Sequence, residues 1–182
     1  MRVLILADDF YPKLSGGALI DWHLATSLAE NGHEVVVVTK KNEGLAEQEY
    51  VNGVEIHRPY SANSSSDHPN TLRSQLLRIK FLILVIPYIF QLQRNQSFDV
   101  VYSTNHLFHP AAKIISLLYS LPVVNFIGYS PSINNEMSNL DPRYLFEQSL
   151  FRFCMGNKVL CSTPDDRDEI QTHSNAEAET VQ

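Results

Sequence analysis

Cysteine is scarce: Cys154 and Cys161 are the only two among 182 residues. That excludes a disulfide framework and a thiolate metal cluster. Both lie in apolar surroundings and read as buried free thiols of a reducing compartment. A basic excess is also lacking. With 14 Lys and Arg against 20 Asp and Glu, a net charge of -6, the chain has no global attraction for nucleic acid. No apolar run approaches the roughly twenty residues that cross a bilayer. The longest, Phe81–Phe90, covers ten positions and contains Pro87. Met1-Arg2 leads directly into a strand pattern without a signal-peptide pattern, so a cytoplasmic location is expected. Internal repeats, metal-ligand clusters and Ser/His/Asp arrangements are missing too, and no metal is expected. What remains is 44% hydrophobic and 19% charged, an ordinary globular balance. The length suits a single domain over 1–182 with a sizeable core.

The opening of the chain is dense with signals. Arg2–Ala7 is an apolar run of strand length, broken by Asp8 and Asp9. Ser15-Gly16-Gly17 then begins a helical pattern in which Ala18, Trp22, Ala25 and Ala29, with Leu24 and Leu28, share a face. Gly32 stops that helix at a position favouring positive φ. Glu34–Thr39, with four successive valines, is a second strand. Uninterrupted apolar strands are buried on both faces, which implies a parallel sheet covered by helices. The result is a βαβ unit with a glycine loop at the carboxyl end of its first strand, where open α/β sheets bind ligands. Amides at a helix start offer unpaired donors and a positive dipole end. Adjacent glycines put no Cβ between ligand and backbone. Gly16 and Gly17 are therefore candidates for holding a phosphate or carboxylate; a tight turn without a ligand is the plainer alternative. A nicotinamide cofactor is not expected. The G-x-G-x-x-G spacing is missing, and the second strand ends in Thr39-Lys40-Lys41 where an acid would meet the ribose hydroxyls.

Further along, Asn52-Gly53 between alternating residues is a hairpin signal, and Val54–Arg58 is a short strand halted by Pro59. Ser61–Asn70 reads as a mobile loop. Thr71–Gln96 is helical in pattern, with Arg73, Arg78, Lys80 and Arg94 flanking its apolar run. It is either a core helix with a solvated basic edge or, over 72–94, a face suited to an anionic membrane surface. Strands at Phe98–Ser103, Pro122–Ile127 and Asn157–Ser162 bring the expected number to seven if the hairpin strand joins the sheet. Helices should start near Pro110, at Asp141-Pro142 and after Thr163, the last with Asp165 and Asp166 facing water at its positive end. Loops after the later strands hold further candidates: Asn105 and His106, then Gly128 and Tyr129. His106 either contacts a sugar or phosphate or caps the next helix. The fold class expected is α/β, a three-layer, doubly wound, mostly parallel, Rossmann-like sheet.

Tyr11-Pro12, Gly16-Gly17 and Gly32-His33-Glu34-Val35 together resemble the N-terminal domain of glycosyltransferase family 4, the retaining sugar transferases of GT-B fold. In that family a Pro-containing loop ends in Gly-Gly, and "GHEV" leads into the second strand. Asn52-Gly53-Val54 matches its "NGV" segment, whereas Leu19 stands where many members carry an acid. Ser103 and His106 fall on the two histidine positions of the family's "DVVHAH" region. Gly128 falls where relatives place a histidine beside the donor sugar, so that contact is missing or replaced, Tyr129 being the nearest substitute. Glu147, Asn157-Lys158-Val159-Leu160 and Ser162 follow the family's acidic helix and "aDxVixxS" strand, with Asn157 for the aspartate. The resemblance implies the acceptor-side half of a retaining hexosyltransferase that moves sugar from a nucleotide-sugar co-substrate to a glycan or lipid-linked acceptor. Glycan biosynthesis on the inner face of the membrane would suit it. It also implies a C-terminal Rossmann-like domain with paired glutamates that this chain lacks, so these residues alone should be inactive. A sugar-nucleotide 2-epimerase-like GT-B enzyme and a non-catalytic carbohydrate-binding half domain stay open as alternatives. No catalytic residue is assigned.

Overall fold

The computed structural model describes residues 1–13, 15–61, 72–104, 106–128, 142–174 and 176–181. The chain forms two compact units, Met1–Asp99 and Val100–Gln182. The expected Rossmann-like α/β class is present, with strands parallel except at one hairpin.

The first unit contains β1 (Arg2–Leu6), α1 (Gly16–Glu30), β2 (Glu34–Val38), β3 (Gln48–Val51), β4 (Val54–His57) and α2 (Leu72–Gln96). Its strands are ordered β3-β4-β2-β1. β1 and β2 run parallel with Leu4 opposite Val36, and β2 pairs parallel with β4. Leu4, Ile5, Leu6 and Val37 are wholly buried, each side chain contributing roughly 1.5–3 kcal/mol by leaving water. This is the physical content of the unbroken apolar runs. The hairpin forms as its turn chemistry requires: Asn52 and Gly53 have φ of 50° and 81°, and β3 pairs antiparallel with β4.

Helix α1 starts at Ser15, whose hydroxyl accepts from the Ala18 amide at 3.4 Å. It ends at Gly32 in the left-handed region, with the Gly32 amide donating to Ala29 O at 3.0 Å. The buried positions are Ala18, Asp21 and Ala25, with Trp22, Leu24, Leu28 and Ala29 half-buried. Helix α2 runs through Pro87 and buries Phe81, Val85, Ile89 and Leu92. Of the two expectations for its outer side, the exposed side chains fit the apolar-and-basic face better than a purely basic edge. Leu76, Ile79 and Ile83 are exposed there. The expected mobile loop lies outside the described residues, Ser61 apart.

The second unit contains β5 (Val100–Ser103), α3 (His109–Tyr119), β6 (Val123–Ile127), α4 (Pro142–Phe153), β7 (Lys158–Cys161), α5 (Pro164–His173) and β8 (Glu177–Thr180). Its strands run parallel in chain order, β5-β6-β7-β8. Ile127, Phe151, Met155, Val159, Cys161, Ile170 and Ala178 form a buried cluster. Gly156 lies so close to β6 that a Cβ would sit 2.5 Å from Val123 O. Eight strands are therefore described instead of the seven expected. The extra one, β8, comes from the polar "EAET" segment, where only Ala178 is buried. Strand burial here is supplied by the neighbour β7 and by α5, and a four-residue segment with one apolar side chain carries no periodic signal.

Candidate functional site

In the first unit the candidate site is built around the loop from Ala7 to Ser15. Phe10 is buried and meets the Trp22 ring edge-on at 5.7 Å, while Tyr11 stacks on Trp22 at 4.5 Å. Arg58, 1% exposed, donates through Nη2 to Tyr11 O at 2.8 Å and through Nη1 to Glu49 at 2.9 Å. One guanidinium thus ties the hairpin to the loop.

At the end of β2, Lys40 turns inward. Its Nζ lies 3.1 Å from Asp8 and 2.9 Å from Asp9, and Lys13 reaches Asp9 at 2.7 Å. Burial alone would lower the Lys40 pKa, but Asp8 and Asp9 outweigh it and hold the ammonium above its usual range. For Asp9 burial pushes upward, and the bonds and charges of Lys13 and Lys40 overcome it, leaving the carboxyl below its usual range. The two acids and two lysines neutralise one another. Lys40 is consequently occupied by structure, in the place where a dinucleotide site would need an acid.

Gly16 and Gly17 sit on this braced loop as the first residues of α1, both exposed. A Cβ at either would meet nothing within 4 Å. Their amides belong to the first helical turn, which supplies no acceptor of its own. The first turn of α1 holds no acidic residue, so an anion there would meet donors and a positive dipole end without a competing carboxylate.

In the second unit the candidates fall at the carboxyl ends of neighbouring strands. His106 follows β5 and Gly128 follows β6; Asn105 and Tyr129 lie outside the described residues. Nδ1 of His106 is 3.2 Å from Oε1 of Glu147, a buried carboxylate on α4. That partner leaves Nε2 as the nitrogen available to a ligand hydroxyl. Burial lowers the His106 pKa, Glu147 and Asp166 pull it partly back, and the net direction is downward. Asp166 corrects an expectation. It does not face water but is 1% exposed, with Oδ2 accepting from Thr163 Oγ1 at 2.6 Å and its amide donating back at 3.1 Å. The reciprocal cap turns the side chain inward. Asp165 is exposed as expected.

Sequence reasoning missed His109, the first residue of α3. It is wholly buried, with Nδ1 2.9 Å from both Ser103 Oγ and Asn125 Nδ2. Asn125 Oδ1 accepts from the Gly156 amide at 2.6 Å. That bond leaves the Asn125 NH₂ to donate, so Nδ1 of His109 accepts and the ring proton sits on Nε2. Burial, then the adjacent His106, holds the His109 pKa well below its usual value, and the ring is neutral. The network joins the β5–α3 loop to β6 and to the turn before β7. Nothing in spacing marks it, because Ser103 and Asn125 become neighbours only through the β5–β6 register. Gly128 is exposed, and its carbonyl accepts from Ser162 Oγ at 2.7 Å. Asn157 uses its side-chain oxygen to accept from the Val123 amide at 3.2 Å.

A family model described as "Glycosyl transferase 4-like domain" matches residues 16–182. Among solved structures, sucrose-phosphate synthase from Thermosynechococcus elongatus is similar with a TM-score of 0.75 at 11% identity. The match covers 99% of this chain and 47% of that one. Arabidopsis thaliana UGT89C1, complexed with UDP-L-rhamnose, gives 0.64 at 12% identity over 100% of this chain and 52% of its own. Os79 from O. sativa, in complex with UDP, gives 0.62 at 11% identity over 99% and 51%. At such identities the likeness is one of fold, the N-terminal half of GT-B enzymes. This chain spans about half the length of those three. No curated protein matches the sequence.

Proposed function

The chain belongs to the glycosyl transferase 4-like domain family, and from that premise we propose that it is the acceptor-side domain of a retaining GT-B glycosyltransferase. The intact enzyme moves a sugar from a nucleotide-sugar donor to a glycan or lipid-linked acceptor. A second Rossmann-like domain supplies most of the donor site.

The observation that carries this reading is the start of α1. Gly16 and Gly17 present amides at a helix N-terminus, with open space beside each α-carbon, on a loop braced by Arg58 and Lys40. Such donors bind a diphosphate and stabilise the charge that develops on it as the sugar departs. Bracing matters because donors already in place do not reorganise during the reaction. His106 accepts a sugar or acceptor hydroxyl at Nε2, with Glu147 orienting the ring. Solved structures of UGT89C1 with UDP-L-rhamnose and with quercetin support a donor and an acceptor on this architecture.

The test is Gly17→Val in the intact enzyme. Transfer should fall about 100-fold, because the isopropyl group keeps the ligand from an amide that valine still carries, an effect comparable to losing one such donor, while the melting temperature holds, since the new side chain enters empty space. Normal turnover would remove the glycines from the mechanism. Incubating the intact protein with a nucleotide sugar alone separates the readings: an epimerase converts the sugar without any acceptor, and a transferase does not.

A further inference from the structure

The acids gathered around His106 are more than the binding of a hydroxyl requires. Oε1 of Glu147 meets Nδ1 at 3.2 Å, and Phe151 packs edge-on against the ring at 5.8 Å. From the first turn of α5, Asp166 lies close enough for its charge to act on the same ring. Both acids are buried, and both favour a charged imidazole. Oδ2 of Asp166 is engaged by the Thr163 hydroxyl, whereas Oδ1 is buried with no hydrogen-bond partner among the described residues. An unpaired carboxylate oxygen in a buried place is costly. A positive charge arriving beside it offsets that cost, and His106 is the group placed to bring one. On α3, His109 is 5.7 Å away between ring centroids. Its ring is neutral and adds no charge against a protonated His106.

In the free chain burial outweighs the two acids, so the ring lacks its second proton at neutral pH. Nδ1–H then donates to Glu147, and Nε2 keeps a lone pair on a side chain 26% exposed, within reach of a ligand. We propose that His106 is the base that takes the proton of the acceptor hydroxyl during sugar transfer, with Glu147 and Asp166 steadying the imidazolium it becomes. The assignment rests on reading the chain as a glycosyltransferase domain. In the step, the acceptor O–H bond breaks and its proton moves to Nε2. The acceptor oxygen forms the bond to the anomeric carbon, and the bond from that carbon to the diphosphate breaks, its electron pair leaving with the phosphate. Nε2 returns the proton to water after the product departs. During the step the Glu147 contact becomes an ion pair, and Asp166 Oδ1 gains an opposite charge. A base so positioned contributes about 10²–10⁴-fold. His109 cannot take this role, because its Nδ1 accepts from Asn125 and its Nε2 already carries the proton.

The experiment has two arms. The first needs no sugar: ring-nitrogen NMR of the 182-residue chain follows His106 from neutral to acid pH. The Nδ1–H tautomer should be present at neutral pH, with protonation at a pH below the ordinary 6.5. Glu147→Gln and Asp166→Asn should each move that protonation to lower pH, since each removes a charge that favours the imidazolium. An Nε2–H tautomer, or a titration that neither variant moves, overturns the proposal. The second arm records kcat/KM against pH for the intact enzyme, with UDP-, GDP- and ADP-sugars as donors and octyl glycosides as acceptors. The native rate should rise with pH as His106 loses its proton. His106→Gln should lower kcat/KM about 100-fold and abolish the rise, whereas Gly17→Val should lower the rate at every pH and keep it. Circular dichroism and melting of each variant report folding. A rise retained in His106→Gln overturns this assignment and leaves the transferase reading standing; a native enzyme that transfers no sugar overturns both.

Discussion

At 1% exposure the Arg58 guanidinium is surrounded by its partners, Glu49 and the Tyr11 and Ala46 carbonyls. Replacing it with Met strands those acceptors. Glu49 is 36% exposed and can turn to water, so the loss should lie near the lower limit for a broken buried pair, about 3 kcal/mol in chemical denaturation. A second prediction concerns His109. Its pKa is depressed in the fold and near 6.5 when unfolded. Above about pH 6.5 both states are neutral and the stabilisation is whole; as pH drops below it the unfolded chain gains a proton that the folded ring refuses. Stability should therefore decline from pH 7 towards 5, more steeply in the native chain than in His109→Gln, as melting curves across that range would record. His106 remains in the variant, so the difference reports His109 together with its interaction with His106. Neither residue was legible beforehand. Gly16, Gly17 and His106 can be picked out by type and spacing, but Arg58 and His109 depend on which way a side chain turns once strands are in register.

At the level of elements, local chemistry and local structure agree closely. Thr163 was read as a helix start, and its hydroxyl caps α5; Thr163→Ala should cost about 1 kcal/mol. The Asn52-Gly53 turn, the Gly32 stop and the Pro110 first turn were equally readable, since each rests on a residue with a restricted or unusually free backbone. Gly156 is a different kind of glycine. Its position reflects a 2.5 Å approach to Val123 O, so Gly156→Ala should lower stability by roughly 1–3 kcal/mol through overpacking, visible as an earlier urea midpoint. No sequence pattern announces that contact, because the partner lies on another strand. The same reason hid β8, whose burial comes from β7 and α5.

For the molecule as a whole, the alternation of strands and helices carried the α/β class, and several motifs read jointly carried the family. What the chain spans is about half of the sucrose-phosphate synthase and UGT structures it resembles. Accordingly these 182 residues on their own should release no product from a nucleotide sugar and acceptor in a discontinuous assay, while the intact enzyme does; turnover by the isolated chain would contradict the division of labour proposed above. One further property follows from Trp22, which packs between Phe10 and Tyr11 in the braced loop. It is the sole tryptophan in the chain, so ultraviolet emission from the whole molecule comes with a built-in address. Any shift in its colour or intensity during a titration reports on the few residues beside the first glycines, without a label.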